Sequence, residues 1–285
     1  MREFAGGRRA TGSLRFRAER LVRDNRFTIA VVFPVVGAML LLASAFDLLP
    51  PILAYNPLLV LLGVLVMRSP LVVALAPLVT RKAVAILLGL TAYTYAIEYV
   101  GLTTGWPYGE FQYLQEIGPV VEGVPIALPI LFLPLVLNAV LLSVLLLRGL
   151  GRSRVLRLAV ALGIVLLIDL VLDPAAVAIG FWTYESGVYY GVPLSNFAGW
   201  LLSGAVAVLA IDQAFDRAAL LDRLEACEFA LDDLVSFTLL WGVINAAYGN
   251  WVPVALAGAL VVALAATPRF SLAIPRWLPV SVSRE

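Results

Sequence analysis

The sequence predicts an all-α protein: a polytopic bundle of about eight transmembrane helices with both termini in the cytoplasm. Three observations predict it. Of 285 residues, 62% are hydrophobic and 14% charged, with a mean hydropathy of +0.97, whereas a soluble domain is about half apolar and a quarter charged. The apolar residues fall into runs near the roughly 20 that a helix needs to cross a bilayer. The basic residues fall only in alternate connecting segments.

Residues 1–26 carry eight arginines and read as a solvated, partly disordered cytoplasmic arm. The apolar run that follows is too long for a signal peptide and lacks a small-residue cleavage site. Spans are expected at 27–46, 52–67, 83–101, 124–147, 155–172, 194–211, 234–249 and 251–267. The second is the weakest, because Arg68, Pro70 and Pro77 interrupt the apolar stretch after it. The last two could form a tight hairpin near Asn250 and Pro253, and seven spans is the alternative. One transmembrane domain, 27–267, thus lies between the arm and a cytoplasmic tail, 268–285. The inside segments of this arrangement (1–26, 68–82, 148–157, 212–233 and 268–285) hold 8, 3, 4, 2 and 3 basic residues, all twenty in the chain. That is the positive-inside pattern. Mixed charges at helical spacing in 212–233 predict a cytoplasmic surface helix with a solvated face.

Composition also removes chemistries. With no histidine, Ser-His-Asp and Cys-His catalysis and His-ligated metals are excluded. The lone Cys227 excludes internal disulfides, cysteine-rich zinc sites and iron–sulfur clusters. The net charge of +1 says nothing about nucleic acid, because the charges are sorted by membrane side, and no nucleic-acid partner is expected.

The outer half holds only acids: Asp47, Glu98, Glu110, Glu116, Glu122, Asp169, Asp173 and Glu185. Glu98, Asp169 and Asp173 lie within or at the end of apolar runs, and an intramembrane carboxylate is by default a functional candidate. Thr91, Thr94, Tyr95 and Glu98 share one helical face. Asp169 and Asp173 are one turn apart, with Pro174 expected to end their helix. Two like charges about 6 Å apart in a low dielectric do not both ionise easily, and a carboxyl that keeps its proton is what a general acid needs. Two aromatic loops flank these helices, with Trp106, Tyr108 and Tyr113 in one and Trp182 and Tyr184 in the other. Asn196 and Trp200, one turn apart, open the sixth span. Rings at this depth either form an interfacial belt or wall a site and stabilise a cation. The outer layer has no Lys or Arg to bind a diphosphate, and its donor set implies no metal. What fits is protonation of a carbon–carbon double bond in an apolar substrate.

At these residues the chain resembles the membrane carotenoid hydratase family. The resemblance rests on Glu98-Tyr-Val-Gly-Leu-Thr-Thr-Gly-Trp-Pro-Tyr-Gly-Glu-Phe-Gln-Tyr113, Asp169-Leu-Val-Leu-Asp-Pro174, the Trp182 loop, Tyr189-Tyr-Gly-Val-Pro193 and Asn196-Phe-Ala-Gly-Trp200. It covers about residues 30–265. Family members add water to terminal double bonds of acyclic carotenoids. An archaeal branch acts on a C50 substrate in bacterioruberin biosynthesis, and a bacterial branch on γ-carotene or lycopene. The resemblance implies a long apolar carotenoid substrate, the bilayer and other carotenoid enzymes as partners, and no redox cofactor or metal.

The residues' own chemistry gives a working assignment. Asp169 or Asp173 protonates the terminal isopropylidene group. Trp182, Tyr184 and Trp200 shield the cation, and Tyr95, Trp106 and Tyr108 complete the substrate wall. Glu98 and Asn196 position and deprotonate water. The order could be reversed, with Glu98 as the acid. The alternatives are a lycopene-type cyclase or isomerase, and a non-catalytic isoprenoid-lipid transporter or scaffold.

Overall fold

The computed structural model describes residues 3–115, 118–148 and 153–267, with side chains from residue 14 onward. The predicted tail and Glu116 lie outside the described residues. In chain order the elements are α1 (Glu3–Asp24), a π-helical turn (Thr28–Val32) running into α2 (Phe33–Ala45), α3 (Pro57–Leu75) with a 3-10 turn to Leu78, and α4 (Arg81–Thr104). Then come β1 (Phe111–Tyr113), β2 (Val120–Val121), β3 (Val124–Pro125), α5 (Leu128–Leu146), α6 (Arg154–Ala178), β4 (Trp182–Tyr184), α7 (Leu194–Ala214), α8 (Arg217–Ala226), α9 (Asp232–Ala247) and α10 (Trp251–Ala265).

The chain is mostly helical, and among the described residues six helical stretches are long and apolar enough to cross a membrane. α9 and α10, of 16 and 15 residues, match the predicted seventh and eighth runs but are shorter than those six. α5 is the hub: it packs against α4, α6 and α7, and 78% of its apolar window is buried.

Local chemistry explains the boundaries. Asn56 caps α3 by accepting from the backbone N–H of Leu58 and Leu59, with Pro57 in the first turn, where its missing donor costs nothing. Thr80, Ser153 and Asp216 cap α4, α6 and α8 in the same way. Gly105 closes α4 in the left-handed conformation, φ 72°.

Four expectations are corrected. The second span begins later and runs on through Arg68 and Pro70 to Leu75. Pro174 does not end α6, which continues to Ala178. A helical proline strands the carbonyl four residues back, and here the Tyr189 hydroxyl donates to Leu170 O at 3.2 Å. At Pro70 the Ser69 hydroxyl does the same for Val66 O at 2.7 Å. Finally, 212–233 is not one solvated helix. It breaks into α8 and the buried first turn of α9, where Asp232 and Asp233 are 7% and 0% exposed. The basic arm likewise forms a helix, α1, whose Glu19 meets Arg223 at 2.6 Å.

Candidate active site

β1 pairs antiparallel with β4, in the register Phe111↔Tyr184, Gln112↔Thr183 and Tyr113↔Trp182. This ladder joins the two aromatic loops into a roof over the C-terminal ends of α4 and α6 and the N-terminal end of α7. Beneath it lies a cavity of about 650 Å³.

Two polar groups face each other under the roof. On one side Asn196, at the start of α7, donates through Nδ2 to Asp173 Oδ2 and, at 3.3 Å, to Asp169 Oδ2. The Tyr184 hydroxyl lies 3.2 Å from Asp173 Oδ2 and 3.0 Å from Asn196 Oδ1. On the other side Glu98, six residues before the end of α4, accepts a hydrogen bond from the Tyr113 hydroxyl. Burial pushes the phenols of Tyr113 and Tyr184 well above their ordinary value, so each remains a donor. The partners of all three carboxyls are neutral, and among the described residues none forms an ion pair.

Glu98, Asp173, Asn196, Tyr108, Trp182, Tyr184 and Trp200 all line the cavity, so the predicted carboxylate, amide and aromatic groups converge. Asp169 does not line it. It is fully buried behind Asn196, with Oδ1 unpartnered. Tyr95 also stands outside, its hydroxyl donated to Ile126 O. Trp106 points away and is 58% exposed, as an interfacial belt residue would be. Tyr108 of the same loop turns inward. Its ring lies between Gly101 of α4 and Gly199 of α7, and its hydroxyl is 2.6 Å from Ser203 Oγ.

Sequence reasoning passed over Tyr113, Phe111, Trp241 and Arg68, which also line the cavity. Tyr113 sat in the quoted aromatic loop, but its link to Glu98 depends on the β1–β4 pairing. Ser203 lies two turns from Asn196 on α7, a spacing that could have flagged it. Arg68 is held by Asp233 Oδ1 at 2.7 Å, and Asn138 Nδ2 bonds the other carboxylate oxygen. Among the described residues no three acidic, cysteine or histidine side chains gather as a metal site would need.

Residues 55–264 match the family model described as carotenoid biosynthesis protein. The chain belongs to this family. A bisanhydrobacterioruberin hydratase from Haloarcula japonica is similar to this carotenoid biosynthesis protein, with 59% identity over 253 residues, covering 88% of this chain and 86% of that one. No solved structure matches it. The family match spans the whole site, from Glu98 to Ser203.

Proposed function

We propose that this carotenoid biosynthesis protein is a hydratase. It adds water to the terminal double bonds of an acyclic C50 carotenoid of the bisanhydrobacterioruberin type, completing bacterioruberin. The reading is carried by one observation: two carboxyls with only neutral partners, Glu98 and Asp173, line an apolar cavity with Asp169 buried beside them, in a chain similar to a protein of that name. An apolar pocket with a few convergent polar groups is the form that substrate sites take.

Asp173 is the acid, because it and not Asp169 reaches the cavity. Asp169, across Asn196, shares the proton of the pair. Asp173 protonates the CH carbon of the terminal isopropylidene group's double bond, and the positive charge falls on the tertiary, dimethyl-bearing carbon between Trp182, Tyr184 and Trp200. Water attacks that carbon, and Glu98, steadied by Tyr113, takes the water's proton. One water is consumed, and passage of the proton from Glu98 back to the aspartate pair restores the starting state. No redox cofactor enters this scheme.

In the proposed topology α9 and α10 are the seventh and eighth spans, both termini are cytoplasmic, and the site faces the non-cytoplasmic side. The alternation of basic segments supports this. The other carotenoid enzymes of the same membrane are its proposed neighbours.

The test is expression in a host that makes the anhydro C50 precursor, followed by mass analysis. A gain of one or two waters supports the hydratase. A changed spectrum at constant mass would point instead to a cyclase or isomerase, and an unchanged pigment to a transporter or scaffold.

A further inference from the structure

The cavity is not closed on all sides. From α2 it takes Phe33, Val36, Gly37, Leu40, Leu41 and Ser44, which recur at three- and four-residue intervals as one face of the helix. From α3 it takes every position from Leu59 to Arg68 except Leu61 and Leu65. Two such apolar surfaces facing each other would normally interdigitate and exclude solvent. Here they do not. Phe33, Val36, Leu40, Leu59 and Leu62 line the cavity, yet each is between 41% and 50% exposed. A Cβ built on Gly63 would meet no atom within 4 Å. The α3 wall runs from Asn56 to Arg68, about 18 Å at 1.5 Å per residue, and continues into the chamber of Glu98 and Asp173. At its deep end the Arg68–Asp233–Asn138 cluster closes it with fixed polar groups.

We propose that the gap between α2 and α3 is a lateral portal through which the substrate's polyene chain reaches the site and in which its tail lies during hydration, with Gly63 setting the width of the passage. This rests on the carotenoid reading above. The whole cavity, passage included, holds about 650 Å³, the size that encloses a drug-sized molecule, so it takes in one end of a C50 polyene and the remainder must leave it. The portal offers that remainder an apolar wall continuous with the bilayer. Arg68 blocks the inner end, so the chain turns outward between the helices.

The experiment compares Gly63→Phe and Leu40→Trp, which narrow the gap from its two walls, with Gly89→Phe. Gly89 is equally open on α4 but does not line the cavity. Each protein is placed in lipid nanodiscs with a C50 acyclic carotenoid. Binding is read as quenching of tryptophan fluorescence, since Trp182, Trp200 and Trp241 all line the chamber. Hydration is read by product mass, and folding by melting temperature. Gly63→Phe and Leu40→Trp are expected to raise the half-quenching concentration and KM about ten-fold or more, because filling a passage of fixed width forces side chains from their preferred positions. Gly89→Phe should match the wild type. Wild-type binding and hydration in a folded Gly63→Phe protein, with Leu40→Trp equally silent, would overturn the portal. A wild-type protein that binds the polyene and adds no water would overturn the hydratase reading and leave the portal standing.

Discussion

The two ends of the bundle both carry buried carboxyl groups, and they treat them in opposite ways. At the end away from the β1–β4 roof, among the described residues, buried Asp233 meets Arg68 at 2.7 Å, buried Asp232 meets Arg26 at 2.8 Å, and half-buried Asp212 meets Arg157 at 2.6 Å. At the roofed end Glu98, Asp169 and Asp173 have a phenol, an amide and another phenol. An arginine partner ties a carboxylate into an ion pair between two elements, whereas a phenol or an amide brings it no charge. The difference separates acids in ion pairs from the uncharged-partnered acids to which the proposed mechanism gives the proton.

The contrast is tested most strongly at Asp173. Asp173→Asn should lower hydration by about 10²–10⁴-fold, the usual worth of a positioned acid, while the melting temperature stays within a few degrees. A folded Asp173→Asn protein with full activity would sink the assignment. Asp233→Ala should do the reverse. Removing one partner of a buried pair costs about 3–5 kcal/mol, seen as a lower midpoint of denaturation in detergent. The double substitution Arg68→Met with Asp233→Leu should recover most of that loss. If Asp233→Ala proved as stable as the wild type, these ion pairs would not be structural.

Smaller effects sharpen the same line. A Cβ on Gly199 would stand 2.3 Å from Tyr108 Cδ1, so Gly199→Ala should cost about 1–3 kcal/mol of overpacking. The cost should shrink in a Tyr108→Ala background. Tyr184→Phe removes one neutral hydrogen bond from the aspartate pair, worth about 1 kcal/mol. It should slow hydration about five-fold and leave binding, by tryptophan quenching, unchanged.

Much of this was legible in the sequence because it is local. Composition and run length located the helices, and one-turn spacing put Asp169 with Asp173 and Asn196 with Trp200. What escaped was long-range. Arg68 reads as the end of a span because a lone arginine in an apolar run is costly. The residue that makes it tolerable, Asp233, is 165 positions away. Asp232 and Asp233 resembled a solvated charge run for the same reason. Tyr113 and Trp106 sit seven residues apart in one loop, and aromatic character alone does not say which turns inward. The β1–β4 ladder decides it, by fixing Tyr113 opposite Trp182 and above Glu98.

The tyrosine between two glycines has one more consequence. α4 and α7 carry the two sides of the chamber, Glu98 on one and Asn196 on the other. At Gly101 and Gly199 they meet through the two opposite edges of the Tyr108 ring. The separation of Glu98 from Asn196 is therefore gauged by the width of an aromatic ring, a rigid shim that neither helix can compress. A leucine there would leave that spacing to rotamer choice, whereas a flat ring gives it a single value.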